Sequence, residues 1–454
     1  MNKTNDKTEY MLHTPLRKLI PSMALPTIAA MLMTTVYNLT DTYFVSKLGT
    51  YATGAVGVNA SIDQIIMMAG SFFAIGAASY VSRLLGARRK EKAEQILCAC
   101  FLAALSVGLL VLALGTLFMD GLVRMLGATD NILVYAKQYA TYVLIAAPFM
   151  SSTFVLNQCL RAEGAATRAM IGSVTGAVVN IILDPIFIFV LDLGVAGASM
   201  ATAISKIISF VILIYPYLAR KTVLRLFPGK LPVSGADARE VGAMGSSSLL
   251  RNLLAILAAI LLNNLAGMYS ESALAAVSVV NRISMLFLSV CLGFGQGFQP
   301  VAGFCWGARH YGRIKEAFSF SIKVVLIGLT AFCVVVFFLA EPIIGLFTEK
   351  DREMLTLGIL SLRSQCIATP LHAVAVVVNM LYVGIGKGKG AAFLSTARQG
   401  SCFIPILPVM VVFFGEYGVA IVQAVADILA AMLSLFFARK AMKEITELAN
   451  GSEL

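Results

Sequence analysis

Charge is the scarcest property of this chain. Asp, Glu, Lys and Arg make up 13% of its 454 residues, against 59% apolar ones, and the mean hydropathy is +0.85. Soluble domains hold about a quarter charged residues and nearly half apolar ones, so a water-soluble globule is excluded in favour of an all-α integral membrane protein. Histidine is almost missing, at three residues. The eight cysteines, Cys98, Cys100, Cys159, Cys291, Cys305, Cys333, Cys366 and Cys402, form no CxxC pair. A metal centre is therefore not expected, and the cysteines read as small buried hydrophobes. The glycine-lysine run YVGIGKGKG at 382–390 lacks the GxxxxGK[ST] spacing and follows an apolar helix rather than a strand. It ends a helix instead of cradling a phosphate, and no cofactor is called for. The first eighteen residues are polar, and the apolar run after them far exceeds a signal peptide's core, so no cleavage is expected.

What is present is a series of long apolar stretches. A hydrocarbon layer of ~30 Å takes roughly 20 apolar residues to cross as a helix. Twelve spans are predicted, at approximately 16–46, 52–85, 93–118, 131–160, 166–191, 195–219, 238–267, 272–306, 313–340, 353–384, 390–414 and 417–442. The net charge of +11 follows these spans. One set of connections holds only Lys47, Arg124, Lys350 and Arg352. Lys137, Lys206, Arg251, Arg282, Lys323 and Arg363 fall inside spans, and all the remaining Lys and Arg gather at the termini and in every second connection. The positive-inside rule puts both termini and the connections near residues 88, 165, 225, 310 and 388 in the cytoplasm of a prokaryotic cell, with the chain in its plasma membrane. The basic balance is a topology signal and gives no sign of a nucleic-acid partner.

The chain repeats itself. YATGAVGV at 51–58 resembles SALAAVSV at 272–279, and Gly86-Ala87-Arg88 returns as Gly307-Ala308-Arg309 at the same interval. IAAP at 145–148 matches IATP at 367–370, Asn157 matches Asn379 and Gly164 matches Gly386, one residue further apart. Two homologous six-helix bundles follow: an amino-terminal lobe over 16–220 and a carboxy-terminal lobe over 238–442. A linker over 221–237 joins them, with Pro228, Gly229, Pro232 and Gly235 as breakers, and short cytoplasmic ends at 1–15 and 443–454 flank them. An even number of spans per half gives both halves the same orientation, and two such bundles around a polar seam are the machinery of alternating access. With no nucleotide-binding domain, an ion gradient has to supply the energy.

Polar residues inside the apolar stretches locate the coupling. An ionisable side chain in a span costs at least ~2.5 kcal/mol and normally faces protein or water. In LPTIAAMLMTTVYNLTDTYFVSKL, Asp41 follows Tyr37 by one turn; in GAVVNIILDPIFIF, Asn180 and Asp184 share a face and Pro185 breaks the helix beside them. Thr202 and Lys206 are likewise i, i+4, and the fourth span carries Tyr139 and Asn157. Two carboxylates close together in low dielectric cannot both ionise cheaply, so such a pair holds a proton or a monovalent cation and releases it when the bundle changes shape. Asn180 and Thr202 would be neutral oxygen partners. On the structural alternative, Asp41 and Asp184 are tied to Lys206 or to a helix amide and never titrate. Lys206 is either a counter-ion or a snorkelling cation; Asp63 and Asp427 read as structural. Spans 7 and 10 carry no acid, which assigns the coupling to the first half.

VYNLTDTYFVSKLG, SRLLGARR, LNQCLRAEGAATRAMIG, NIILDPIFIF and GVAGASMATAIS together resemble the multidrug and toxic compound extrusion (MATE) family of the multidrug/oligosaccharidyl-lipid/polysaccharide exporter superfamily, over residues 15–440. The resemblance implies twelve helices in two lobes around a central cavity, exporting drugs, often cationic, in exchange for H⁺ or Na⁺. It places the coupling acid of the first helix at Asp41, the Asn and Asp of the fifth at Asn180 and Asp184, and the Thr of the sixth at Thr202, with Tyr37, Tyr139 and Asn157 completing the network. Those four, Asp41, Asn180, Asp184 and Thr202, would also be the Na⁺ ligands. Second-lobe acids of the NorM branch are missing, so the chain looks like the DinF-like or MepA-like branch. Lys206 departs from the neutral residue expected there and favours protons. The chain is then no enzyme but a monomeric antiporter, opening outward when Asp41 and Asp184 take up cations and inward when they are empty. Met33, Met67, Met68, Phe149 and Met150 are expected to line the cavity, since methionine adapts to many ligand shapes. A lipid-linked oligosaccharide flippase of the same superfamily is the alternative, disfavoured by the acidic first lobe. An intramembrane aspartyl protease using Asp41 and Asp184 is a remote one, since the YD and GxGD patterns are absent.

Overall fold

Backbone inside hydrocarbon must satisfy its own N–H and C=O groups. The computed structural model, which describes residues 3–227, 233–348 and 351–451, does so with helices and contains no strand among them. Pro228, Gly229, Pro232 and Lys350 lie outside the described residues. Eleven helical segments are long and apolar enough to cross a membrane. The last, Gly388–Asn450, breaks at Gly415 (φ 57°, ψ −133°) into two crossings, so there are twelve. Span 1 is Leu16–Ser46, span 2 Thr50–Gly86, span 3 Lys90–Leu117, span 4 Asp130–Ala162, span 5 Ala166–Val190 and span 6 Gly194–Leu218. Spans 7 to 10 are Gly235–Tyr269, Glu271–Gly307, Tyr311–Phe338 and Arg352–Gly384, and spans 11 and 12 meet at Gly415. Hydropathy did not disclose a polar amino-terminal helix, Lys3–His13, or the short helices Met119–Met125 and Ala340–Gly345 between spans 3 and 4 and spans 9 and 10.

The internal repeat reappears in hydrogen bonds. Asn157 Nδ2 donates to the Ala169 carbonyl (3.1 Å) and to Ser173 Oγ (2.7 Å). Asn379 Nδ2 does the same to Ala391 (3.1 Å) and Ser395 (2.8 Å). Between Ser173/Ser395 and Pro185/Pro408 the interval grows by one residue. The extra residue is taken up where span 11 widens into a π-helical turn at Ala397–Phe403.

The two bundles meet near the face that carries the described ends of the chain. A Cβ on Gly86 would stand 2.2 Å from the Phe304 carbonyl oxygen, and one on Gly307 2.0 Å from that of Arg83. These are the same contact seen from each half of the repeat, and only glycine lets the backbones of spans 2 and 8 come this close. Arg83–Glu240 (2.8 Å), Lys92–Asp237 (2.7 Å) and Tyr80–Asp237 (2.8 Å) cross the interface on the same side, as do the bonds from Ser79 to the Val383 carbonyl and from Arg161 to Gln296. Towards the opposite face, no hydrogen bond beyond Thr35–Ser289 (2.7 Å) joins the bundles among the described residues, and Tyr43 and Tyr51 are exposed. The hydrogen bonds and ion pairs across the bundle interface are thus concentrated on the side of the termini.

The beginning of the linker is anchored. Buried Glu163 accepts from the backbone N–H groups of Val223 (3.1 Å) and Leu224 (3.2 Å), and Glu94 from that of Arg225 (3.0 Å). Burial pushes the Glu163 carboxyl up to about 7, against the pull of Lys7 and of the two amides.

Two outcomes are expected. Gly307→Ala should lower the apparent melting temperature in detergent, overpacking costing about 1–3 kcal/mol, while Gly57→Ala, which meets nothing within 4 Å, leaves it in place. For Glu163 the folded state holds the proton more tightly than the unfolded one. Its contribution is complete below the ordinary value of 4.5 and is lost as pH rises through about 7, a span worth about 3 kcal/mol. A melting series from pH 5 to pH 8 should consequently show a smaller decline for Glu163→Gln than for the unaltered chain.

Candidate functional site

Span 5 builds the first wall of the site. Asn180 and Asp184 fall one turn apart, and Pro185, which has no N–H to donate, hands the regular helix over to a π-helical turn at Ile186–Val190. Asn180 Nδ2 donates to Asp184 Oδ1 and to Thr202 Oγ1 of span 6, both at 3.3 Å. Asn180 is 1% exposed, Asp184 0% and Thr202 8%. Asp184 Oδ2 and Asn180 Oδ1 are buried without a hydrogen-bond partner.

Spans 1, 2, 4 and 6 supply the rest. Lys206 Nζ donates to Tyr37 Oη at 2.6 Å and sits 4.5 Å from the centre of its ring. Asp41 lies within electrostatic range of Asp63, Lys206 and Asp184. Tyr139, 3% exposed, feels Asp41, Asp63 and Asp184 together. One oxygen each of Asp41 and Asp63 is buried without a partner. No ion pair within 4.0 Å joins Lys206 to an acid among the described residues. The alternative in which Lys206 ties the acids down is thus not what the side chains do. Lys206 lies near two carboxylates, Asp41 and Asp63, and balances at most one of them; a carboxylate left over in low dielectric, Asp184 included, needs a proton or a small cation.

Tyr37, Asp41, Tyr139, Asn180, Asp184, Thr202 and Lys206 come together as read from the sequence. Asp63 joins them, although it reads as structural from sequence; its signal was a second acid deep in an apolar run, ASIDQIIMM. Asn157 does not join, because its amide is committed to Ala169 and Ser173 two turns before Asn180 on span 5. Met150, expected in the cavity wall, is 8% exposed and belongs to the packed interior of the first bundle. Met33, Met67, Met68 and Phe149 are partly exposed, and the Phe149 ring packs at 5.3 Å on Phe210.

In the second half the same places are apolar. Counted from Pro185/Pro408 and Gly194/Gly418, Asn180, Asp184 and Thr202 correspond to Phe403, Leu407 and Ala426, all buried. Beside them lies a different group. Arg398, counted from sequence as a cation of a connection, sits in the π-helical turn of span 11 and holds Asp427 of span 12 through Nε (2.6 Å) and Nη2 (3.2 Å). Gln365 (2.7 Å) and Gln423 (3.0 Å) complete the carboxylate's partners, which fits the structural reading of Asp427.

A chain of twelve membrane helices in two repeated bundles, with a polar cluster between spans of the first, defines a class of membrane transporter. The MatE family model matches residues 26–186 and 248–409, once in each half, and the chain belongs to that family. It is 26% identical over 452 residues to the "Multidrug export protein MepA" of Staphylococcus aureus (strain MSSA476), covering 98% of this chain and 100% of that one. To the protein of the same name from Staphylococcus haemolyticus (strain JCSC1435) it is 27% identical, covering 96% of each. Among solved structures, a MATE protein in complex with MaL6 superposes with a TM-score of 0.92 at 26% identity, covering 97% of this chain and 99% of that one. An outward-facing multidrug resistance MATE transporter does so at 0.91 and 26%, covering 96% and 98%.

Breaking the second-half pair by Arg398→Ala leaves Asp427 charged and buried and should destabilise the protein by about 3 kcal/mol or more. Arg398→Met combined with Asp427→Leu should recover most of the loss in detergent melting.

Proposed function

We propose that the chain is a multidrug efflux antiporter of the plasma membrane, exporting organic compounds, often cationic, in exchange for protons taken up by the first-half acids. The observation that carries this reading is the set of incompletely bonded carboxylates beside the single Lys206: Asp184 is fully buried, and Asp41 and Asp63 are partly buried, each with one enclosed, unpartnered oxygen. Export of many drugs is supported by the name of the MepA relatives and by the partly exposed methionines Met33, Met67 and Met68. The Lys and Arg distribution supports a cytoplasmic location for both termini, which makes the less fastened side of the bundle interface the external one. Filling the acids neutralises them and favours the outward-open packing. Emptying them favours closure, so that cation and drug are linked through their different affinities for the two states. A single copy carries the whole path on this reading.

Protons are preferred to Na⁺ because Lys206 already places a fixed cation beside Asp41 and Asp63. Were Na⁺ the ion, Asp41, Asn180, Asp184 and Thr202 would hold it. The flippase alternative is disfavoured by this acidic cluster, which would repel a pyrophosphate, and the protease by the sequence around the acids, where Tyr37 stands four residues from Asp41 and Pro185 follows Asp184.

Substrate efflux from proteoliposomes under separately imposed pH and Na⁺ gradients tests the proposal. The unaltered chain should respond to the pH gradient, Asp184→Asn and Asp41→Asn should lose at least ten-fold in initial rate, and Asp63→Asn should fall in the same direction. Lys206→Gln should let a Na⁺ gradient contribute. Coupling left intact by Asp184→Asn would remove the role assigned to it, and drive by Na⁺ alone would reverse the choice of ion.

A further inference from the structure

On the face that carries the termini, directly over the Gly86 and Gly307 contact, is a cavity of about 450 Å³. Arg88 and Arg89 reach it from the end of span 2, Arg309 and His310 from the end of span 8, and His13 from the amino-terminal helix; among the described residues no acidic one lines it. An adjoining hollow of about 110 Å³ shares Arg88 and adds Lys90 and one acid, Glu9. The three guanidinium groups make no hydrogen bond or ion pair among the described residues. Elsewhere on this face Arg83, Lys92 and Lys387 are each matched to a carboxylate.

Spans 2, 4, 8 and 10 all end in a left-handed residue with the bond pattern of a Schellman cap, as in Arg89 N to Leu84 O (2.8 Å) and His310 N to Cys305 O (2.9 Å). After spans 4 and 10 that residue is Gly164 (φ 80°) and Gly386 (φ 81°). After spans 2 and 8 it is Arg88 and Arg309, both at φ 60°, and after span 6, away from this cavity, Arg220 at φ 52°, a conformation that glycine adopts without strain. Both halves of the repeat thus put a guanidinium in a strained position on opposite walls of one cavity.

We propose that this cavity is a binding site for a phosphate-bearing anion. Three permanent positive charges and two imidazoles suit a ligand with two or more negative charges, and guanidinium forks match phosphate oxygens in geometry. That chemistry belongs equally to a soluble phosphate and to the headgroup of an anionic phospholipid. Since each half supplies one wall, separating the bundles on this face dismantles the site. On the alternating-access reading above, the bound anion therefore favours the state in which this face is closed.

Binding is tested apart from transport, with the full chain in detergent and pyrophosphate titrated against sodium chloride of equal ionic strength. A parallel arm compares mixed micelles of phosphatidylglycerol with micelles of phosphatidylcholine. The altered chain carries Arg88→Gly and Arg309→Gly, which suit the left-handed backbone and keep the fold; Arg439→Gln with Lys440→Gln removes charge elsewhere on the same face as a control. A saturable rise in melting temperature is expected with pyrophosphate, with phosphatidylglycerol or with both. The responding arm identifies the source, and the glycine pair should weaken half-saturation at least ten-fold while the control leaves it unchanged. A response equal in the glycine pair and the unaltered chain, or none in either arm, overturns the site.

Discussion

The cost of keeping a charge out of water governs this molecule. A carboxylate in a low-dielectric interior is tolerated only when paired, hydrogen-bonded or neutralised, and the two halves meet that demand in opposite ways. In the second half Asp427 has four donors from Arg398, Gln365 and Gln423. In the first half Asp41 and Asp63 share one lysine that is itself bonded to Tyr37, Asp184 accepts from Asn180, and each of the three acids keeps an oxygen without a partner. The satisfied cluster is a strut. The unsatisfied one is able to change its occupancy.

That asymmetry is superimposed on a repeat whose architecture is otherwise shared. Asn157 and Asn379 staple matching spans with matching bonds, yet Phe403, Leu407 and Ala426 stand where the first half has Asn180, Asp184 and Thr202. Among the described residues the incompletely bonded acids lie in one bundle only, which leaves the other as a packed body. On the proposed mechanism, filling the first bundle then shifts the equilibrium between two arrangements of largely rigid lobes.

The hinge side of such a movement needs contacts that are close and few. Lipid offers little hydrophobic drive for helix association, so small residues and polar bonds take over. Glycines at the crossings of spans 2 and 8 allow backbone contact, and the ion pairs of Arg83 and Lys92 fasten the same edge. The unmatched arginines over that contact gather charge where the two halves touch.

The sequence alone determined the membrane-spanning elements and their number, because apolar length and the placement of Lys and Arg are local quantities set by hydrocarbon thickness and by the cost of moving charge across it. It also determined the repeat, and the face shared by Asn180 and Asp184, which follows from helical spacing. Neighbours across the bundle were decided only by tertiary structure. Helical period says which residues share a face but not which faces meet, so Asp63 was undervalued, Asn157 was drawn into a cluster it does not reach, and Met150 was placed in a cavity wall instead of the interior. Arg398 was misread for the same reason: a cation near a helix end looks like a topology signal until a π-helical turn aims it at Asp427 on another span.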